Sequence, residues 1–253
     1  MLVELDLHGA VVLVTGGVRG VGLGITRAFL AAGAVVVTCA RRPAGVDGAS
    51  FVPCDVRDAD QVSDLVSGIV AEHGRLDVVV NNAGGAPFAL ADKASPRFHS
   101  KIVELNLLAP LLVSQAANSV MQKQDGGGSI VNVSSVSGRR PSPGTAAYGA
   151  AKAGLDNLTS SLAVEWAPKV RVNALAVGMV RTEQSHLHYG SEAGIEAVAK
   201  TVPLGRLASP DEVGACAVFL ASPLASYVSG ATLVVHGGGE APAFLTAADG
   251  GPS

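Results

Sequence analysis

Seven short runs of β-branched and aliphatic residues recur along the chain, at 11–14, 35–38, 50–52, 76–80, 129–133, 170–174 and 232–235. Between them the apolar positions switch to helical spacing. In the segment 60–72, Val62, Leu65, Val66, Ile69 and Val70 fall on one helical face. A strand that leads into a helix and then into another strand must cross over the sheet, so neighbouring strands run parallel and helices cover both faces. The alternation therefore predicts an α/β fold with a doubly wound, mostly parallel seven-stranded sheet. Ligands of such sheets bind beyond the carboxyl ends of the strands.

Composition agrees with that expectation. Of 253 residues, 48% are hydrophobic but 4% are aromatic, so the core is built from Ala, Val, Leu and Ile, which suits helices packed closely on buried parallel strands. A net charge of −3 argues against a dedicated nucleic-acid surface. Cys39, Cys54 and Cys216 are odd in number and widely spaced, which implies a reduced chain without a disulfide framework and hence a cytoplasmic location. The opening MLVELDLHG carries Glu4 and Asp6 and lacks a basic flank, so no secretory leader is expected. The apolar run 28–40 is interrupted by Gly33 and is too short to span a membrane. No composition shift divides residues 1–239. The segment 183–209 is polar and irregular and reads as a mobile loop over the substrate; 240–253 reads as a loosely held tail.

Between the first strand and the first helix lies TGGVRGVG, residues 15–22. Glycines at such a turn let the backbone approach a ligand, and the following helix offers free N–H groups and the positive end of its dipole to a phosphate. Gly16, Gly20 and Gly22 are spaced G-x-x-x-G-x-G, not the common G-x-G-x-x-G. Other informative positions also fall at strand ends. NNAG, residues 81–84, follows the fourth run, and VNVSSVSG, residues 131–138, carries Ser134 or Ser135 to the sheet rim. YGAAK places Tyr148 and Lys152 four apart in a helical stretch, so a phenol and an ammonium share one face. With three tyrosines and six lysines a chance match is expected about 0.07 times.

Taken together, TGGVRGVG, NNAG, Asn106 in ELNLLAP, Ser135 and YGAAK resemble the short-chain dehydrogenases/reductases of roughly 250 residues, and the likeness runs from about Leu7 to Gly239. The resemblance implies a single-domain Rossmann fold and an oxidoreductase that interconverts a ketone and a secondary alcohol by hydride transfer. In this likeness Tyr148 is the acid/base, and Lys152 lowers its pKa and holds the nicotinamide ribose. Ser135 hydrogen-bonds the substrate oxygen, and Asn106 holds a water in a proton relay. The turn residues Gly16, Val18, Arg19, Gly20, Val21 and Gly22 face the pyrophosphate. Asp55 and Val56 border the adenine, Asn82 and Gly84 lie under the adenosine ribose, and Val180 and Thr182 lie beside the nicotinamide carboxamide. Ala40 stands where an NAD-selecting acid is expected, with Arg41 next to it and Arg19 on the same side. NADP(H) is therefore the preferred cofactor, NAD(H) being possible.

Three departures from the family pattern are visible: Val177-Gly178 for Pro-Gly, His236 where aspartate is frequent, and the basic pair Arg139-Arg140, which reads as a solvated loop. His186 and His188 lack a third ligand, so no metal is expected. The substrate is expected to be an apolar small molecule (a 3-oxoacyl thioester, sterol or cyclic ketone), without nucleic-acid or membrane partners. The apolar helices around 97–122 and 148–167 imply a homotetramer. The competing possibility is a dinucleotide-binding sensor that lost its chemistry. Ser135, Tyr148, Lys152 and Asn106 together favour the enzyme.

Overall fold

The computed structural model describes Leu5 and residues 7–243. Seven strands form one parallel sheet in the order β3-β2-β1-β4-β5-β6-β7. They are β1 (Val11–Thr15), β2 (Val35–Ala40), β3 (Ser50–Pro53), β4 (Val78–Asn81), β5 (Gly128–Ser135), β6 (Val170–Val177) and β7 (Thr232–Val235). Side chains alternate between the two faces. Val11 and Leu13 of β1 join one core with Val62, Leu65 and Ile69 of α2 (Ala59–His73) and Val113 of α4 (Ala109–Met121). Val12 and Val14 join the opposite core with Ile25 and Phe29 of α1 (Gly20–Ala31) and Val213 and Val218 of α8 (Pro210–Ala221). On the second face α1 and α8 cross backbone to backbone, since a Cβ on Gly214 would stand 2.6 Å from the Gly24 carbonyl oxygen.

Helix ends follow local chemistry. Asp58 caps α2 by accepting from the N–H groups of Asp60 and Gln61, and Ser209 with Glu212 forms a reciprocal capping box on α8. The expected long helix over 97–122 is divided into α3 (Pro96–Val103) and α4 by a wide π-helical turn at Glu104–Leu108. Pro110 explains the break, because it has no N–H to give to the carbonyl four residues back and its ring crowds that carbonyl.

Two expectations need correction. The segment 183–209 is not irregular: it holds α6 (His186–Tyr189) and α7 (Glu192–Ala199) after α5 (Ala146–Glu165), over a small core of Ile195, Val202 and Leu207. Its two ends are tied, with Arg181 N–H donating to Ala208 O at 2.8 Å and Ala208 N–H to Met179 O at 3.0 Å. The expected tail begins inside ordered contacts: Ala241 N–H donates to Thr201 O at 3.1 Å. Its remainder, 244–253, lies outside the described residues, as do 1–4 and 6 of the opening segment.

Candidate active site

The carboxyl ends of β1, β4, β5 and β6 converge with the first turns of α1 and α5. Tyr148 and Lys152 sit one turn apart on α5, with the Lys152 Nζ 5.6 Å from the tyrosine ring centroid. Lys152 is 3% exposed, and its ammonium donates to Val133 O on β5 at 2.7 Å. Strand alternation separates the two rim serines. Ser134 Oγ donates to the Lys152 carbonyl at 3.2 Å and serves the scaffold. Ser135, the last residue of β5, places its hydroxyl on the Tyr148 phenol and also accepts from Ser137 N–H at 3.1 Å.

Burial controls the titration of this cluster. The Lys152 ammonium is pushed down to about 8 by loss of solvent, with Asp156 on the same helix pulling it back up. Burial also raises the Tyr148 phenol, while the Ser135 hydrogen bond works in the opposite direction. The expected lowering by Lys152 is not among the influences on the phenol, where burial outweighs the Ser135 hydrogen bond. The ammonium lies against the ring and the Val133 carbonyl, and desolvation outweighs every favourable contact of the phenol.

Asparagines fix the strand ends. Asn81 Nδ2 donates to Asn132 Oδ1 at 2.8 Å and to Ser114 Oγ at 2.9 Å, and Asn132 Nδ2 donates to Thr159 Oγ1 at 2.9 Å, a buried network beneath the site. Asn82 Nδ2 donates to the carbonyls of Thr15 at 3.0 Å and Gly16 at 3.1 Å. Its side chain thus anchors the glycine turn, and any support for a ribose comes from its backbone. Asn106, buried inside the π-helical turn, accepts from Gly85 N–H at 2.8 Å and donates to Gly85 O at 3.0 Å and Ile102 O at 2.9 Å. One amide proton goes to Gly85 on the loop after β4 and the other to Ile102 in α3, so the side chain ties that loop to the helix. Gly84 lies between Asn106 and Lys152: a Cβ there would stand 2.7 Å from Asn106 Oδ1 and 3.5 Å from Lys152 Nζ.

Under the glycine turn the backbone forms a cradle. A Cβ on Gly22 would strike the Gly16 carbonyl oxygen and stand 2.5 Å from Asn82 Nδ2, so no side chain fits. Val18, Arg19 and Val21 complete the turn, and α1 starts with Gly20. This closed, side-chain-free turn at a helix start fits a dinucleotide pyrophosphate. Ala40 ends β2 beside the exposed Arg41, and the exposed Arg19 occupies the N-cap position of α1. Asp55 is held by Arg57, whose Nε donates to Oδ1 at 2.9 Å; that pairing keeps the carboxylate below its usual range, and Arg41 adds a weaker pull. Val56 points into the core, which leaves its backbone for any contact with an adenine. Val180 and Thr182 stand at the base of the α6–α7 segment, with Thr182 close to Gly20.

The basic pair is not free in solvent. Arg139 Nε lies 3.2 Å from Asp156 Oδ2, and Arg140 Nη2 lies 2.5 Å from Glu240 Oε1. Sequence reasoning missed these partners, the Asn81–Asn132–Thr159 network and Glu183, whose Oε1 accepts from Gly20 N–H at 3.1 Å. The one available signal was residue type: uncharged polar residues inside otherwise apolar strand ends.

Comparisons with known proteins agree with this geometry. Residues 16–240 match the family model described as enoyl-(acyl carrier protein) reductase. The chain is 36% identical over 247 residues to the D-threitol dehydrogenase of Mycolicibacterium smegmatis, covering 93% of this chain and 94% of that protein. It is 36% identical over 245 residues to the 3alpha-hydroxysteroid dehydrogenase of Mediterraneibacter gnavus, covering 91% and 97%. Among solved structures, the aldohexose dehydrogenase of Thermoplasma acidophilum superposes with a TM-score of 0.89 at 31% identity, covering 93% of this chain and 96% of that one.

Proposed function

Because the chain belongs to the short-chain dehydrogenase/reductase family and is an oxidoreductase acting on CH–OH groups, we propose that it interconverts a ketone and a secondary alcohol with NADP(H), on a largely apolar substrate. The cluster of buried Ser135 and Lys152 with half-buried Tyr148 carries this reading. When bound, the nicotinamide supplies or accepts the hydride. Tyr148 holds the proton that the substrate oxygen gains or gives up, and its high pKa keeps it a proton donor at neutral pH. Ser135 donates to the same oxygen as charge develops on it. An ammonium has three protons, and Val133 takes one, so Lys152 keeps two for ribose hydroxyls.

Ala86, Pro87, Phe98, Ile102 and Ala146 line a small recess beside Tyr148 together with the polar His99 and Thr145, and its apolar side supports an apolar substrate body. The α6–α7 segment is the candidate substrate loop. A screen of acyl thioesters, steroids, small diketones and polyols, read by NADPH absorbance, tests this; turnover confined to polyols would overturn it. For the cofactor, the absent acid at Ala40 and the guanidiniums of Arg41 and Arg19 favour a 2′-phosphate. NADPH should exceed NADH by about 10- to 100-fold in kcat/KM, roughly 1.4 to 2.7 kcal/mol. Ala40→Asp with Arg41→Ala should reverse the order, and equal use of NADH by the unaltered enzyme would refute the preference.

We further propose a cytoplasmic homotetramer. The three thiols are free, and apolar Leu108 and Val164 are exposed on the helical face, as are Leu233 and Val234 on the edge strand β7. A stable monomer in light scattering at micromolar concentration would count against the assembly.

A further inference from the structure

At the start of α1 the chain already holds an anion of its own. Gly20 N–H donates to Glu183 Oε1 at 3.1 Å, across 163 positions of sequence. The helix brings no cap: Arg19 is extended at the N-cap position and its side chain makes no capping bond. In α2 and α8 the capping oxygen comes from the residue next to the first turn. Free N–H groups and a helix dipole attract a carboxylate and a phosphate for the same reason. Glu183 thus meets the same demand that a pyrophosphate would.

Its neighbours hold it there. Thr182 N–H donates to Ser185 Oγ at 2.9 Å, and Thr182 Cγ2 lies 3.6 Å from where a Gly20 Cβ would stand. Arg181 pairs with Glu192 of α7 at 2.6 Å. The turn that carries Glu183 is therefore the base of the α6–α7 segment. A carboxylate cannot keep this position cheaply once a doubly charged pyrophosphate occupies the turn, because like charges a few ångströms apart repel and the N–H has one proton to give.

We propose that Glu183 is a built-in competitor for the cofactor: it occupies the phosphate seat of α1 in the free protein, is expelled when the dinucleotide binds, and holds cofactor affinity below what the seat alone would give. The proposal rests on the dinucleotide reading of the site. Expulsion moves the Thr182–Ser185 turn, so occupancy of the seat is communicated to α6 and α7. Glu183 is an affinity determinant, not a catalytic residue.

Equilibrium binding of NADPH and NADH, followed by nicotinamide fluorescence, tests this on the full chain with Glu183→Gln and Glu183→Ala. Asp211→Asn is the control, since Asp211 lines the same cleft. Both Glu183 variants should bind about 3- to 10-fold more tightly, as expected for removing one nearby charge, and the control should stay within about twofold. In the cofactor-free protein Glu183→Ala should lower the melting temperature, because α1 loses its acceptor. Unchanged or weaker cofactor binding in both Glu183 variants would overturn the proposal and leave Glu183 a helix cap. Equal tightening for NADPH and NADH would uphold it. If none of the proteins binds either dinucleotide, the reading of the site fails and the proposal with it.

Discussion

Two cations are drawn out of solvent at opposite ends of the sheet, Lys152 fully and Arg171 in part, and they are treated differently. At the amino end of β6, Arg171 spreads its guanidinium over four carbonyls. Nη1 reaches Leu220 O at 2.8 Å and Val228 O at 3.2 Å, and Nη2 reaches Ala221 O at 3.1 Å and Ser222 O at 3.4 Å. Two of these, Leu220 O and Ala221 O, belong to the last turn of α8, where carbonyls lack an intrahelical partner. The same end is stapled by Gln124, which accepts from Leu76 N–H at 2.9 Å and donates to Leu76 O at 3.0 Å. At the carboxyl end of β5, Lys152 has a single carbonyl acceptor among the described contacts and donors to spare. Loss of solvent lowers the pKa of both cations, but Arg171 meets it with four carbonyls and Lys152 with one. One end of the sheet is satisfied and the other is left wanting, which is what the proposed ligand site calls for.

The contrast can be broken in three places. The largest effect is expected from Tyr148→Phe, which removes the proton donor and should lower turnover by about two to four orders of magnitude. NADPH affinity should survive, and near-normal turnover would show that the wanting end is not where the chemistry lies. Next comes Arg171→Met, which leaves buried carbonyls without donors and should cost about 3 kcal/mol in urea unfolding with the site geometry intact. A loss below about 1 kcal/mol would remove the distinction between the two ends. The smallest effect has the opposite sign. The Lys152 pKa lies below that of an unfolded lysine, so the unfolded chain binds more protons between about 8 and 10.5. The full penalty, about 3 kcal/mol, is present below the folded value and is relieved as pH rises through that window. Lys152→Met should therefore stabilise the protein by about 1–2 kcal/mol at pH 7 and give no gain near the top of the window, while turnover falls. Destabilisation at pH 7 would show that the Val133 hydrogen bond outweighs desolvation.

What the sequence made legible follows from range. All seven strands stand out because their apolar runs are local, yet β5 and β6 continue past the residues read as strand, to Ser135 and Val177. At β5 the apolar signal stops where the polar site begins, because Ser134 and Ser135 keep the ladder but leave the hydrophobic pattern. Tyr148 and Lys152 were visible because helical geometry brings residues four apart together. Glu183 at Gly20, Arg140 at Glu240 and the carbonyls around Arg171 were not, because those partners meet through the fold. The helices α6 and α7 were hidden for another reason. They are short, Gly190 and Gly194 interrupt their pattern, and most of their surface is polar.

The crossing of α1 over α8 at Gly24 and Gly214 has a consequence for synthesis. A growing chain completes β1, the glycine turn and α1 first, whereas α8 is made after every strand but the last. Until then Ile25 and Phe29 lack the Val213 and Val218 side that covers them in the finished protein. The glycine turn is thus made before α8 and clamped only after it, so the nascent amino-terminal half presents apolar surface that waits on distant residues. A chain cut before α8 would leave Ile25 and Phe29 without that cover.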